Sequence, residues 1–249
     1  MSAAPPDTAP GPVPWSVRLG HAQKSTVGVP AYLRFVNRRL GGWLAVLAYR
    51  LGATPTQVTA VSAAVSLVGI VALVLAAPGW ATAAVVGLAL TAGYALDSAD
   101  GQLARLRGGG TPAGEWLDHV VDCVKTLLLH AAVLVSLYRF AAGYGSLPDA
   151  VLLLPLAFGV VNSTFYFATM LSDQIRRRSD LPGRPAGSGS VARSFVLLPT
   201  DYGMLCLVFF LLGAPSAFLW GYGLLFAYNA LFTARNLVVT YGRLTSSTT

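Results

Sequence analysis

The sequence predicts an all-α membrane protein, with six transmembrane helices preceded by an N-terminal amphipathic helix that lies in the membrane interface. Three observations carry that expectation. Of 249 residues, 55% are hydrophobic and only 11% charged, against roughly 25% charged in an average soluble domain. Six apolar stretches approach the roughly 20 residues a helix needs to cross about 30 Å of hydrocarbon. The arginines gather on alternate connections between those stretches, as the positive-inside rule describes for a chain that crosses repeatedly.

Residues 1–23 are rich in Pro and Ala and lack the apolar run of a signal peptide, so they read as a disordered cytoplasmic tail. Pro30, a favoured first helical residue, then opens an amphipathic helix over 30–50. Leu33, Val36, Leu40, Trp43, Leu44 and Leu47 recur near every 3.6 residues as one apolar stripe, with Arg34 and Arg38 on another face. Such a helix suits the cytoplasmic interface.

The spans are expected at 59–77, 81–104, 115–138, 148–172, 195–213 and 217–235, with Pro199 and Asp201 interrupting the fifth. With the N-terminus inside, the outer loops near 78–80, 139–147 and 214–216 hold one basic residue, Arg139. The inner segments hold Lys24, Arg34, Arg38, Arg39 and Arg50, then Arg105 and Arg107, then Arg176, Arg177, Arg178, Arg184 and Arg193, and finally Arg243. Both termini are therefore expected in the cytoplasm. The net charge of +7 reports this orientation rather than nucleic-acid binding, for no basic cluster is interleaved with aromatics. Cys123 and Cys206 lie in apolar runs and read as buried thiols. Richness in Ala, Gly, Arg and Val, with two lysines, points to a GC-rich prokaryotic genome.

Five of the ten acidic residues fall between positions 97 and 122: Asp97, Asp100, Glu115, Asp118 and Asp122. On the expected topology this stretch is the end of the second span, a turn through Gly108, Gly109 and Gly110, and the start of the third. Asp97, Asp100 and Ala104 share one helical face, and Gly114, Asp118 and Asp122 share another. The two faces can meet across the turn, placing four carboxylates in one cavity just below the cytoplasmic surface. An ionised carboxylate near hydrocarbon costs at least roughly 2.5–3.5 kcal/mol, so something positive must be bound. Hard oxygen ligands without His or Cys in register favour Mg²⁺, with Mn²⁺ or Ca²⁺ as substitutes, and two bridged ions would suit phosphates. Gly101, Ala104 and Gly114 keep the walls low for a ligand, and Arg105 offers a fixed positive charge to a phosphate oxygen. Helix packing or capping by the carboxylates is the blander alternative. A cation channel or transporter is an alternative of another class, but it needs neither the small residues nor Arg105.

The pattern Asp97-x2-Asp100-Gly101-x2-Ala104-Arg105-x8-Gly114-x3-Asp118-x3-Asp122 resembles, at every defined position, the signature of the CDP-alcohol phosphotransferases, also called CDP-alcohol phosphatidyltransferases. The resemblance covers about residues 24–240 as one membrane domain, leaving 241–249 as a cytoplasmic tail. The segment NRRLGGWLAVLAYRLGATPTQVT is similar too, with Thr56 where a member often has Asn. The resemblance implies that Asp97, Asp100 and Asp118 ligate two metal ions, and that Asp122 is a ligand or the base. Asp100, Gly101, Ala104, Arg105 and Gly114 would line the CDP pocket. The implied reaction moves a substituted phosphoryl group from a CDP-linked donor to an alcohol and releases CMP, in phospholipid biosynthesis. Asp122, a turn deeper than Asp118, is the candidate base, whereas His119 points about 100° away on the helix and reads as a packing residue.

A site in the interface suits CDP-diacylglycerol as donor. Inositol phosphate, glycerol phosphate or another polyol would be the acceptor, its phosphate met by Arg176, Arg177, Arg178 and Arg193. A soluble donor such as CDP-inositol is the alternative within the family. Membrane lipids are expected partners, nucleic acid is not, and a homodimer is what the family often shows.

Overall fold

The computed structural model describes residues 28–145, 147–178 and 190–246; the expected N-terminal tail and Arg184 lie outside them. The described residues form helices and connecting turns without strands. Five helices are long and apolar enough to cross a membrane: Pro55–Leu75 (α2), Trp80–Leu106 (α3), Pro112–Arg139 (α4), the run Asp149–Arg178, of which Leu153–Arg178 is α5, and Pro215–Ser246 (α8). The chain is an integral membrane protein.

Before them, a π-helical turn at Leu33–Asn37 leads into Arg38–Arg50 (α1). The small residues of α1, Gly41, Gly42 and Ala45, are buried, while Val36, Leu40, Trp43 and Leu47 are exposed, Trp43 at 78%. Close approach to α3 explains which face turns inward. A β-carbon on Gly41 would lie 2.7 Å from Ser98 Oγ, so only glycine lets the two backbones come this near. Asn37 Nδ2 donates to Tyr94 O and Gln102 Nε2 to Arg38 O, fastening α1 along α3.

Helix α2 starts on a capping box, in which Thr54 and Gln57 satisfy each other's backbone N–H. It then packs on α3 through Ser62, Ser66 and Gly69. A β-carbon on Gly93 of α3 would collide with Ser66 Oγ, and Ser62 Oγ donates to Gly93 O. Lipid is as apolar as leucine, so close packing of small residues holds such helices together where the hydrophobic effect cannot.

The expected fifth span is not one helix. Residues Val191–Val196 form a short helix (α6), Leu198–Thr200 a 3₁₀ turn, and Tyr202–Val208 (α7) continues as a 3₁₀ segment to Gly213. Pro199 cannot donate to a helical ladder, and Asp201 takes an extended conformation and caps α7 by accepting from Gly203 N. The apolar helix left, Tyr202–Gly213, is shorter than the other five. Asp201 also accepts from Leu33 N at 2.7 Å and from Tyr94 Oη at 3.0 Å. One carboxylate thus joins the start of the N-terminal helical segment, the middle of α3 and the start of α7. The last helix continues beyond 240, to Ser246.

Candidate active site

The ends of α3 and α4 are set by their turn. Gly108 and Gly109 have φ of +95° and +129°, values that favour glycine, and Gly109 N returns to Ala104 O at 2.9 Å. Pro112 opens α4, and Thr111 caps it by accepting from Gly114 N at 3.1 Å. Helices α3 and α4 each pack closely on α2 and touch one another less. A cleft therefore opens between them, and side chains rather than backbones bridge it.

Asp97 from α3 and Asp118 and Asp122 from α4 meet in this cleft, each offering one carboxylate oxygen with all three within 4.8 Å of one another. All three residues are half-buried. Hard anionic oxygens from two helices, with no thiolate or imidazole among them, are a donor set for Mg²⁺, Mn²⁺ or Ca²⁺, so the residues present fit a divalent ion. Asp100 lies beside this trio but turns toward α2. It is buried and accepts a 2.5 Å hydrogen bond from Thr59 Oγ1.

Lys125 is the residue that sequence reasoning missed. Its ammonium is 2.6 Å from Asp97 Oδ1 and 2.9 Å from Asp122 Oδ1, and the residue is buried. It offsets one of the four negative charges, so the cluster is not bare. The signal was present in the sequence: Asp118, Asp122 and Lys125 follow at i, i+4 and i+7 on one helical face.

The small residues lie around the mouth of the cleft. The Arg105 guanidinium folds back over Gly101, where a β-carbon would stand 3.4 Å from Nη1. A β-carbon on Gly110 would lie 3.8 Å from that of Ala104, and one on Gly114 would lie 3.2 Å from Thr111 Oγ1. Arg38, assigned from sequence only to the polar face of the first helix, is half-buried within electrostatic reach of both Arg34 and Arg105, and Arg105 is within reach of Asp100. Burial, with Arg34 adding to it, pulls the Arg38 guanidinium below its ordinary value. Positive charge gathered beside a carboxylate cluster is a setting for an anion that carries metal ions, such as a diphosphate.

The remaining expected residues are distributed as follows. Arg176 is half-buried and Arg177 and Arg178 exposed in the last turn of α5; Arg193 is exposed on α6. Helix α6 is tied to the start of the molecule by Arg34 Nη1 donating to Ser194 Oγ at 3.2 Å. His119 packs edge-on against Tyr166, whose hydroxyl donates to His119 O at 2.8 Å. His130 is a core residue bonded to Tyr222 Oη and Asn162 Nδ2. Thr56 is exposed in the first turn of α2. A cavity of about 150 Å³ lies between α4, α5, α7 and α8, with Cys123, Thr126, Asn162, Tyr166, Tyr202 and Asn229 in its wall. The Tyr202 hydroxyl is buried beside the Cys206 thiol.

A sequence profile described as CDP-alcohol phosphatidyltransferase matches residues 53–234. Among solved structures, the chain resembles a Mycobacterium tuberculosis phosphatidylinositol phosphate synthase (PgsA1) in complex with manganese and citrate. That match has a TM-score of 0.54 at 20% identity over 80% of this chain and 87% of the other. The same synthase with CDP-DAG bound matches with a TM-score of 0.54 at 19% identity, over 83% of this chain and 94% of the other. At these identities the likeness is one of fold. No curated protein matches the chain.

Proposed function

The chain belongs to the CDP-alcohol phosphatidyltransferase family, and from that premise we propose that it transfers a substituted phosphoryl group from CDP-diacylglycerol to the hydroxyl of a polar acceptor such as inositol phosphate or glycerol phosphate, releasing CMP. The observation that carries this reading is the meeting of Asp97, Asp118 and Asp122 within 4.8 Å, at the spacing of the family motif. The related synthase solved with manganese and with CDP-DAG supports the choice of donor and the need for a divalent ion.

In this reading Asp97, Asp100, Asp118 and Asp122 hold two Mg²⁺ ions, with Mn²⁺ or Ca²⁺ able to substitute in binding. When bound, the ions neutralise the diphosphate and the departing CMP. Arg105, held over Gly101, pairs with a phosphate oxygen, and Gly101, Ala104 and Gly114 leave room for the nucleotide. Asp122 accepts the proton of the acceptor hydroxyl as its oxygen attacks the phosphorus bonded to the alcohol being transferred. The bond from that phosphorus to the CMP oxygen breaks, and no covalent enzyme intermediate is needed. Arg176, Arg177, Arg178 and Arg193 receive the phosphate of an anionic acceptor.

The domain extends over 24–240, between tails at 1–23 and 241–249. Tyr202–Gly213 with its preceding turns serves as the sixth, shorter crossing. The exposed stripe of Val36, Leu40, Trp43 and Leu47 lies on the cytoplasmic surface of a prokaryotic cell membrane, with both termini and the site on the cytoplasmic side. Purified protein crossed against CDP-diacylglycerol, CDP-inositol and a panel of phosphorylated and neutral alcohols tests the reading. CMP formation with CDP-diacylglycerol and a phosphorylated polyol is expected. CMP formation only with CDP-inositol would transfer the assignment to a soluble donor, and none with any pair would overturn it.

A further inference from the structure

We infer that Lys125 is a built-in counter-cation of the carboxylate cluster: it holds Asp97 and Asp122 together before the cluster is loaded, and gives up that position when the cluster takes its full complement of divalent ions. The inference rests on the metal reading proposed above. Its basis is geometric. A single ammonium bonds at 2.6 and 2.9 Å to carboxylates on two different helices, across a cleft that the backbones of α3 and α4 do not close. The same two residues, with Asp118, make up the group of oxygens close enough to share an ion.

An ammonium and a divalent ion compete for these carboxylates. Carboxylate oxygens lie about 2.0–2.6 Å from a bound Mg²⁺ or Ca²⁺, so an ion held by the Oδ1 atoms of Asp97 and Asp122 would occupy the position of Nζ, and an ion held nearby would repel it, since like charges a few ångströms apart repel strongly in a half-buried site. Lys125 is anchored only three residues beyond Asp122 and is buried, so its ammonium cannot withdraw to open solvent. Polar atoms remain on the inner side of the cluster: the Tyr202 hydroxyl, paired with the Cys206 thiol, lies within electrostatic reach of Asp97 and Asp122, and Cys206 lies within reach of Lys125. Lys125 therefore does two things. It stabilises the empty cleft, and it weakens the binding of the ion that must take its place.

The experiment is a Mn²⁺ titration of the full chain in detergent, without nucleotide, read by electron paramagnetic resonance, on wild type, Lys125→Met and Lys125→Arg. Lys125→Met is expected to tighten the weakest Mn²⁺-binding step by at least about tenfold and to lower the unfolding temperature of the metal-free protein, with Mn²⁺ restoring it. Lys125→Arg, which keeps the charge, is expected to bind Mn²⁺ no more tightly than wild type. A merely structural lysine predicts the opposite for Lys125→Met, namely binding unchanged or weaker, and that result overturns the inference. If Lys125→Met can be purified only with Mn²⁺ present, the readout becomes the rate at which a chelator strips the ion: slower loss than from wild type supports the inference, and equal or faster loss overturns it. Mn²⁺ binding by wild type with no gain in Lys125→Met sinks this inference alone, whereas no binding by any of the three proteins sinks the metal reading with it.

Discussion

Replacing Asp201 with alanine removes a carboxylate that is itself 4% exposed and that accepts from Leu33 N, Gly203 N and Tyr94 Oη at 2.7, 2.9 and 3.0 Å. Three donors from three parts of the chain lose their partner together. Leaving a buried donor unsatisfied costs about 1–3 kcal/mol. Relief of the desolvation cost of the carboxylate offsets part of that, so we take the low end, about 1 kcal/mol per donor and about 3 kcal/mol for the three. For a chain of this length each kcal/mol shifts Tm by about 2–4 °C, which gives a fall of about 6–12 °C. Thermal unfolding in detergent, followed by tryptophan fluorescence, measures it. Asp201→Asn, which keeps one acceptor oxygen, should lose roughly half as much. Hydrogen exchange should locate the damage at Leu33 and the following helix, because the Leu33 amide is bonded to the carboxylate. A Tm for Asp201→Ala within about 2 °C of wild type would refute the view that this side chain joins the three elements.

Two further outcomes follow from the site and its setting. Asp122→Asn should retain the CDP-linked donor in calorimetry while kcat falls by about 10²–10⁴-fold, the range for loss of a general base; recovery of turnover at high Mg²⁺ would leave Asp122 a ligand only and remove it from the role of base. In a background with Cys123 and Cys206 replaced by serine, Arg178→Cys should react with an impermeant thiol reagent only after cells are opened, and Ala142→Cys should react in intact cells; labelling of Arg178→Cys from outside would invert the orientation.

The long spans were legible because a membrane demands a long apolar run, and α2, α3, α4, the run into α5, and α8 each supply one. The motif was legible because helical spacing alone puts Asp97 with Asp100 and Asp118 with Asp122. What the sequence concealed was long-range. Asp201 reads as a blemish in an apolar stretch until the fold brings Leu33 and Tyr94, 168 and 107 positions away, to its oxygens. Thr59, 41 positions from Asp100, turns that carboxylate aside from the other three, and no local pattern marks Thr59 as its partner. Lys125 was within reach of helical arithmetic and was passed over because it sits in an apolar run beyond the last motif position. The outward placement of the α1 stripe depended on the close approach of Gly41 to α3, which amphipathicity alone does not reveal.

On the proposed function, Asp97, Asp118 and Asp122 hold a divalent ion required for transfer from a CDP-linked alcohol. The most direct measurement of that requirement is CMP release by the purified protein with CDP-diacylglycerol and the acceptor found in the crossed assay, in Mg²⁺, in Mn²⁺ and in excess EDTA, alongside Asp97→Asn and Asp118→Asn with folding checked by size exclusion. CMP is expected only with a divalent ion, and both variants are expected to lose release without loss of the folded peak. Undiminished CMP release in excess EDTA would contradict it.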